Sequence, residues 1–323
     1  MPDIIGASLA GCAAALELLR HGQAVTLYEK SRFPRHKVCG EFLDPQAVRL
    51  LAGVQLQGTP ITETALIWPQ SEKRFALPEP ALGISRYRLD QVLLAAALEG
   101  GAKLIQDNGK AHAKAIVAHG RKPVSQRGQR LFGYKAHFSG PTNQAVELYF
   151  EGIGYTGVNP VEDGLTNVCG VAREEDLKAV GFDGDRWLGR QPKLAKRLDG
   201  RKREMEWLFT GPLFYGPTEE SLGYVCGDAL SFVDPFTGSG MLCAIATGQL
   251  AARSVLEGLS PEQHLERCRE LLLPAFRWSS LMRRALGWPM VPRLAQLLPG
   301  ALLYRYSRPN PEGFALRSAA RRR

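Results

Sequence analysis

Residues 4–29 read IIGASLAGCAAALELLRHGQAVTLYE, and this stretch decides the fold. A short apolar run, Ile4-Ile5, leads into a glycine turn. The following segment, from Cys12 to Arg20, is rich in Ala and Leu, which are good helix formers. Gly22 is a suitable C-cap, and the run that ends at Tyr28 is apolar and β-prone. The order strand, turn, helix, strand predicts a βαβ unit within about 30 residues.

The turn of this unit has the spacing of a dinucleotide-binding loop. Gly6-x-Ser8-x-x-Gly11 stands between a strand and a helix, where the first glycine permits a tight turn and the last permits close helix–strand packing. The free N–H groups of the helix start suit a pyrophosphate. Glu29 follows Gly11 by 18 residues, where an acid binds ribose hydroxyls. The alternative is a chance glycine turn. We expect the following residues to contact the cofactor: Gly6, Ser8, Ala10, Gly11, Glu29 and Lys30.

A second motif follows another predicted strand, Tyr224 to Gly227. It reads Gly227-Asp228-Ala229 and continues to Pro235-Phe236-Thr237-Gly238-Ser239-Gly240 before a small-residue helix. Here the chain resembles the FAD-dependent oxidoreductases of the geranylgeranyl reductase, flavin-dependent halogenase and aromatic hydroxylase group. The resemblance implies that Asp228 binds the ribityl chain and that the loop offers backbone N–H groups to the flavin, whose reduced form is stabilised at a helix N-terminus. The cofactor residues implied by this motif are Asp228, Pro235, Gly238, Ser239 and Gly240.

Two further blocks resemble the same group. Phe33-Pro34-Arg35-His36-Lys37-Val38-Cys39-Gly40-Glu41 is similar to the segment that runs past FAD, and Ser85 to Leu93 is similar to the helix start whose arginine, here Arg86, reaches the phosphates. Arg35 and Lys37 are candidates to neutralise pyrophosphate or substrate charge, or they form a solvated loop. Cys39 is a weak candidate for a group facing the flavin, with buried packing as the alternative. Otherwise the catalytic residues are unknown.

Three differences from the motifs of this group restrict the predicted activity. His119 replaces the aspartate of the Ala-Asp-Gly motif of the hydroxylases, and no second G-x-G-x-x-G unit follows a strand. We therefore expect electrons from transiently bound NAD(P)H or from a separate flavin reductase. The five tryptophans never form a W-x-W pair, which disfavours tryptophan halogenation but leaves halogenation of other substrates open.

The middle of the chain predicts an antiparallel sheet with a substrate cavity against the flavin. Short β-prone runs between Leu131 and Val171 are separated by Gly, Pro and Asn. Alternation places Tyr134 and His137 on opposite faces, and we expect the Tyr134 face to line the cavity, with His137 on the far face. The predicted substrate residues are Tyr134, Tyr155, Phe214 and Tyr215.

Composition excludes other classes. Hydrophobic residues make up 45% and charged residues 23% of 323 residues, as in soluble globular proteins. No apolar run of membrane-spanning length occurs, and six scattered cysteines suggest neither a zinc site nor a disulfide framework, so we expect no metal and a cytoplasmic protein.

Of the net charge of +9, residues 261–323 carry +8, from twelve Arg and four Glu. This basic segment is a solvated face or a peripheral membrane contact. No motif indicates nucleic-acid binding.

Together these features predict an α/β fold with a Rossmann-like FAD-binding domain, an antiparallel sheet domain and a helical C-terminal segment. The predicted limits are 1–60, 80–123 and 215–260 for the FAD domain, 61–79 and 124–214 for the sheet domain, and 261–323 for the C-terminal segment. The expected function is FAD-dependent monooxygenation or reduction of an apolar, aromatic or prenyl-type small molecule. Alternatives are a halogenase of a substrate other than tryptophan and a non-catalytic FAD- or prenyl-binding protein.

Overall fold

The structure is a computed structural model. It describes residues 2–121, 130–151, 154–213, 216–217, 222–232, 237–286, 296–306 and 308–314. Two larger sheets and a layer of helices form the fold.

The first sheet is the parallel sheet that the βαβ unit predicts. It has five strands, in the order β15-β7-β1-β2-β6, and the described pairs are all parallel. The strand bounds are β1 Asp3–Ile5, β2 Thr26–Tyr28, β6 Lys103–Ile105, β7 Ile116–Val117 and β15 Tyr224–Val225. Three long helices pack against this sheet and one another: α1 Leu9–Arg20, α3 Arg86–Glu99 and α7 Gly240–Leu256.

The second sheet has nine strands and is mixed rather than purely antiparallel. The order is β12-β8-β11-β10-β9-β4-β5-β3, with β13 paired to β8. The strand bounds are β3 Phe42–Leu43, β4 Thr59–Ile67, β5 Glu72–Gly83, β8 Leu131–Ser139, β9 Ala145–Glu151, β10 Gly154–Pro160, β11 Leu165–Arg173, β12 Lys202–Arg203 and β13 Leu208–Leu213. β4 and β9 run parallel, because the chain between them crosses through α3 and the first sheet. The predicted antiparallel sheet is thus corrected at this one pair.

A further long helix, α8 Pro261–Leu286, follows α7. The shorter elements are α2 Pro45–Leu50, α4 Glu174–Ala179, α5 Gly184–Gly189, α6 Pro192–Leu198, the pair β14 Gly216–Pro217 and β16 Ser231–Phe232, and α9 Gly300–Tyr306. Within the described residues, no helix is both long enough and apolar enough to cross a membrane. The prediction of a Rossmann-like domain joined to a sheet domain and C-terminal helices is confirmed.

Strand β8 presents a different chemistry on each face. Tyr134 and Phe138 point into an aromatic core, where both rings meet Trp207 edge to face. Lys135 and His137 point the other way, and both contact Glu41. This alternation decides which face of the sheet meets the functional site.

Candidate functional site

A cleft of about 900 Å³ opens between the start of α1, the segment 38–42 and the start of α7. It lies at the carboxyl end of β1, where ligands bind in open α/β sheets. Its described lining residues are Ser8, Leu9, Ala10, Val38, Cys39, Gly40, Glu41, Phe42, Arg86, Ala118, Gly120, Gly227, Asp228, Gly238, Gly240, Met241 and Ala244.

The glycine loop has the tight geometry that its spacing predicts. Gly6 has a φ of +105°, and a Cβ there would overlap the carbonyl of Ala118. A Cβ at Gly11 would overlap the carbonyl oxygen of Gly6. Only glycine therefore lets α1 begin this close to β1. Ser8 is the N-cap residue but makes no side-chain cap, so the first-turn N–H groups have no serine oxygen as partner.

Two cations converge on the hydroxyl of Ser8. Lys37 Nζ and Arg86 Nη2 each lie 2.7 Å from Ser8 Oγ. The carboxylate of Asp90 pairs with both, at 2.7 Å from Lys37 and 2.9 Å from Arg86. Burial, reinforced by the charge of Arg86, lowers the pKa of Lys37 to about 8. Two cations against one carboxylate leave an excess positive charge beside a helix N-terminus, which suits a diphosphate.

Glu29 lies at the end of β2 and is bound to backbone. Its carboxylate accepts hydrogen bonds from the N–H groups of Ala7, at 3.0 Å, and Ser31, at 2.8 Å. Arg35 lies 4.0 Å from the same carboxylate, and Lys30 is exposed. Glu29 therefore holds the glycine loop in this structure. Its contact with a ribose, like those of Lys30 and Arg35 with the cofactor, stays a prediction.

Asp228 has the features of a ligand-binding carboxylate. It lines the cleft and has no hydrogen bond or ion pair with any described residue. Burial raises its pKa, against the charges of Arg86, Arg121 and Lys37. Gly227 before it has a φ of +60°, and a Cβ there would come within 2.8 Å of Ala10 Cβ. A polyhydroxylated chain such as ribitol would supply the hydrogen bonds that this carboxylate lacks.

The start of α7 closes the far end of the cleft. Gly238 has a φ of +65°, and a Cβ built at Gly240 would meet no described atom within 4 Å outside its chain neighbours and its own helix, so the described part of the chain leaves this helix start uncovered. Ser239, the N-cap residue of α7, makes no side-chain cap, and its hydroxyl bonds to that of Thr237 at 2.6 Å. Pro235 lies outside the described residues. The cleft, its glycines, its cations and Asp228 together fit a flavin dinucleotide such as FAD.

A second cavity of about 1100 Å³ adjoins the cleft. Its wall is mostly apolar and includes Leu66, Phe75, Val146, Leu148, Val171, Leu213 and Leu303. Val38, Cys39, Gly40, Phe42 and Gly238 border both the cleft and the cavity. We call the segment 38–42 the partition. It places Cys39 between the two spaces, and the contact of Cys39 with a flavin stays a prediction.

The four predicted substrate residues differ in where the structure places them. Tyr155 lines the cavity. Tyr134 does not, because it lies on the opposite face of β8, where its hydroxyl bonds Thr156 Oγ1 at 2.5 Å within the aromatic core. Lys135 and His137, instead of Tyr134, point toward the partition, so the predicted face assignment is wrong. Phe214 and Tyr215 lie outside the described residues.

Sequence reasoning missed three contributors to the site. Glu41 is a fully buried residue of the partition itself, and Tyr304 and Arg308 of the C-terminal segment line the cavity. Arg308 pairs with Asp44 at 2.7 Å and lies over the ring of Tyr304. Only long-range folding brings these groups together. The sole sequence signal was the acid that directly follows Cys39-Gly40 in the third motif block.

Comparisons with known proteins agree with this geometry. No family model matches the chain. A menaquinone reductase of Mycolicibacterium smegmatis is 28% identical over 117 residues, which are 32% of this chain and only 27% of that protein. The solved structure of the flavin-dependent brominase Bmp2 has a TM-score of 0.79 at 18% identity and covers 99% of both chains. A probable FAD-dependent monooxygenase from Pseudomonas aeruginosa, pqsL, has a TM-score of 0.67 at 15% identity, over 88% of this chain and 96% of that one. By its fold, the chain is similar to flavin-dependent halogenases and to an FAD-dependent monooxygenase.

Proposed function

We propose that the protein is an FAD-dependent oxidoreductase that acts on an apolar or aromatic small molecule, as a monooxygenase or a reductase. The observation that carries this proposal is the partition, since one short segment borders both the dinucleotide cleft and the apolar cavity. A substrate in the cavity would lie beside a flavin ring in the cleft. The mostly apolar wall favours a substrate with few polar groups.

Each residue then has a role in binding or orientation. FAD would supply the redox chemistry, and the protein would hold it. Lys37 and Arg86 bind the diphosphate together with the first turn of α1. Asp228 binds the ribityl hydroxyls. The open N-terminus of α7 stabilises negative charge on the ring. Phe75, Leu148 and Tyr155 exclude water from the substrate side.

A halogenase of a substrate other than tryptophan is the second candidate. It is supported by the likeness to the brominase Bmp2, which extends over 99% of both chains. Because the identity is only 18%, this likeness bears on the fold and leaves the chemistry to experiment. The third possibility is a non-catalytic binder of FAD or prenyl groups.

The electron donor would be transiently bound NAD(P)H or a separate flavin reductase, since the chain lacks a second dinucleotide motif. The test is an absorption spectrum of the purified protein, with identification of the released cofactor. A flavin spectrum that bleaches with NAD(P)H indicates a self-sufficient enzyme. Bleaching only after a reductase is added indicates a two-component system. Release of FMN, or failure to load any flavin, would contradict the proposal.

We also propose a peripheral contact between the C-terminal segment and an anionic membrane. Leu281, Leu297 and Tyr306 are 59%, 80% and 54% exposed, and the segment 261–323 carries most of the net charge. Apolar side chains among arginines favour the interface of anionic lipids. Co-sedimentation with phosphatidylglycerol vesicles, but not phosphatidylcholine vesicles, would support the contact. Equal sedimentation with both, or with neither, would contradict it.

A further inference from the structure

A buried ionic cluster joins the partition to strand β8. It consists of Glu41, Lys135 and His137, which are 0%, 0% and 3% exposed. One carboxylate oxygen of Glu41 accepts hydrogen bonds from Lys135 Nζ and, at 2.6 Å, from the backbone N–H of Arg86. The other lies 2.7 Å from His137 Nε2. Three donors therefore converge on one carboxylate away from water.

Such a cluster contributes little net stability to a fold, because burying its charges costs free energy of desolvation. Removing charges from water costs several kcal/mol per ion, and apolar residues of similar volume are often at least as stable. Burial alone would raise the pKa of Glu41, but the charge of Lys135 and the hydrogen bond from His137 hold that pKa below its ordinary value. The carboxylate is therefore ionised at neutral pH. This desolvation cost indicates that the cluster has a role other than stabilising the fold, one that apolar packing would not fill.

The backbone of residues 39–41, beside the cluster, indicates this role. Glu41 has a φ of +54°, an uncommon conformation for a residue with a side chain. Asn167 Nδ2 donates to the carbonyls of Cys39, at 3.2 Å, and Gly40, at 2.9 Å. The backbone N–H of Ile84 donates to the carbonyl of Glu41 at 3.1 Å. Every peptide carbonyl from Cys39 to Glu41 thus has a fixed donor.

The side-chain donors come from the substrate-side sheet, and the backbone donors of Ile84 and Arg86 come from the link between β5 and α3 and from the start of α3. Lys135 and His137 belong to β8, and Asn167 is the register partner of His137 on β11. The sheet therefore binds the segment that borders the cofactor cleft, through hydrogen bonds with defined directions. His36 adds an edge-to-face contact with the ring of His137 at 5.2 Å and stacks on Tyr87.

We propose that Lys135 and His137 are positioning residues, which act through Glu41 to fix the partition between the flavin and the substrate cavity. This inference rests on the proposed function, since it gives the partition its purpose. The cluster would keep Cys39 and Gly40 at a constant place beside the ring. Its loss would loosen both spaces at once, rather than destabilise the fold evenly.

The first experiment needs no cofactor. Amide hydrogen exchange of the peptide covering residues 39–43, and alkylation of Cys39 by a small maleimide, are compared in the cofactor-free protein and its variants. His137→Phe should speed both by about tenfold, the effect of roughly 1.4 kcal/mol of lost local stability. His137→Gln, which keeps a donor toward Glu41, should restore rates near the wild type. Lys135→Met alone leaves a buried carboxylate with fewer donors and risks misfolding, so Lys135→Met is combined with Glu41→Gln.

The matched control lies on the same strand. Tyr134→Phe removes the buried hydrogen bond to Thr156 on the opposite face of β8, so it should lower the melting temperature without changing exchange at residues 39–43. Faster exchange in Tyr134→Phe equal to that in His137→Phe would overturn the proposal. So would unchanged exchange in both His137→Phe and the double variant.

A second readout separates this proposal from the proposed function. In flavin-loaded protein, His137→Phe should shift the visible flavin spectrum and the flavin midpoint potential, and Tyr134→Phe should leave both unchanged. If the wild type loads no flavin, the proposed function fails, while local exchange still decides whether the cluster fixes the partition. If flavin loads and the variants affect neither exchange nor spectrum, the positioning role fails alone.

Discussion

Lys37 Nζ lies 2.7 Å from the carboxylate of Asp90, and the same ammonium lies 2.7 Å from the hydroxyl of Ser8. The relationship joins a residue of the segment before the partition to α3 and to the start of α1. Asp90 is fully buried, so its charge is compensated by Lys37 and Arg86 rather than by water. An acidic residue near a helix N-terminus ordinarily stabilises the start of the helix. The structure gives the N-cap to Ser85, whose hydroxyl accepts from the N–H of Arg88, and places Asp90 among the cations instead.

The pKa of Lys37, about 8, predicts a pH dependence of FAD binding. An anionic diphosphate binds the charged ammonium more tightly than the neutral amine. Affinity should therefore be highest below pH 8 and fall above it, with a limiting slope of about tenfold per pH unit. Fluorescence titration of FAD from pH 6.5 to 9.5 measures the effect. Lys37→Arg, which keeps its charge, should give a flat profile. Identical profiles for both proteins would remove Lys37 from the diphosphate site.

Asp228 should lower the stability of the cofactor-free protein and strengthen the binding of FAD. Burial raises its pKa in the folded protein, so the ionised carboxylate destabilises the fold increasingly as pH rises from its unfolded pKa through the folded one. Asp228→Asn should raise the melting temperature of the cofactor-free protein by about 2 °C and weaken FAD binding at least about tenfold. Thermal denaturation with and without FAD checks both. A variant that is less stable and binds FAD normally would contradict the assignment.

Filling the apolar cavity should block the substrate without affecting the cofactor. Leu148 lines the cavity but not the cleft. Leu148→Trp should weaken binding of an uncharged aromatic fluorescent probe such as N-phenyl-1-naphthylamine by about tenfold, while FAD affinity changes less than about twofold. Leu104→Trp, at an exposed position on β6, is the matched control. Loss of FAD binding in Leu148→Trp would show that the two spaces are one site.

His264 should make the protein sensitive to acid. Its Nε2–H donates to the carbonyl of Val225 at 2.9 Å, which links α8 to β15, and burial lowers the pKa of the ring to about 4. A histidine with a lowered folded pKa contributes stability that is lost as pH falls from about 6.5 toward 4, by up to about 1.4 kcal/mol per pH unit. Urea denaturation at pH 7.0 and 5.0 measures it. His264→Gln should reduce the loss, and His112→Gln, at an exposed ring, should not.

The cofactor side could be predicted because its determinants are local. Gly6, Gly11 and the strand–helix–strand order are read within 26 residues, and each glycine has a steric reason that the structure displays. The motif around Gly227-Asp228 is equally short. In both, backbone geometry forces the residue type.

The substrate side resisted prediction because it depends on register between distant segments. Period-2 alternation correctly separated Tyr134 from His137, but it gives no sign of which face meets the flavin. Aromatic character favoured Tyr134, yet Trp187 and Trp207 supply an aromatic core on its face, and Glu41 supplies the partner for Lys135 and His137 on the other. Arg308 lies at the cavity through contacts with Asp44 and Phe42, which are far away in sequence.

The shared partition also constrains how such a protein can diversify. Any substitution at Val38, Cys39 or Phe42 that admits a new substrate also alters the surface offered to the cofactor, so the two properties are inherited together. Thr64, Leu66 and Tyr155 border the cavity alone. Lineages, or directed-evolution libraries, that broaden substrate range while keeping the redox machinery should accumulate their changes on these strands, and those strands are the place to randomise first.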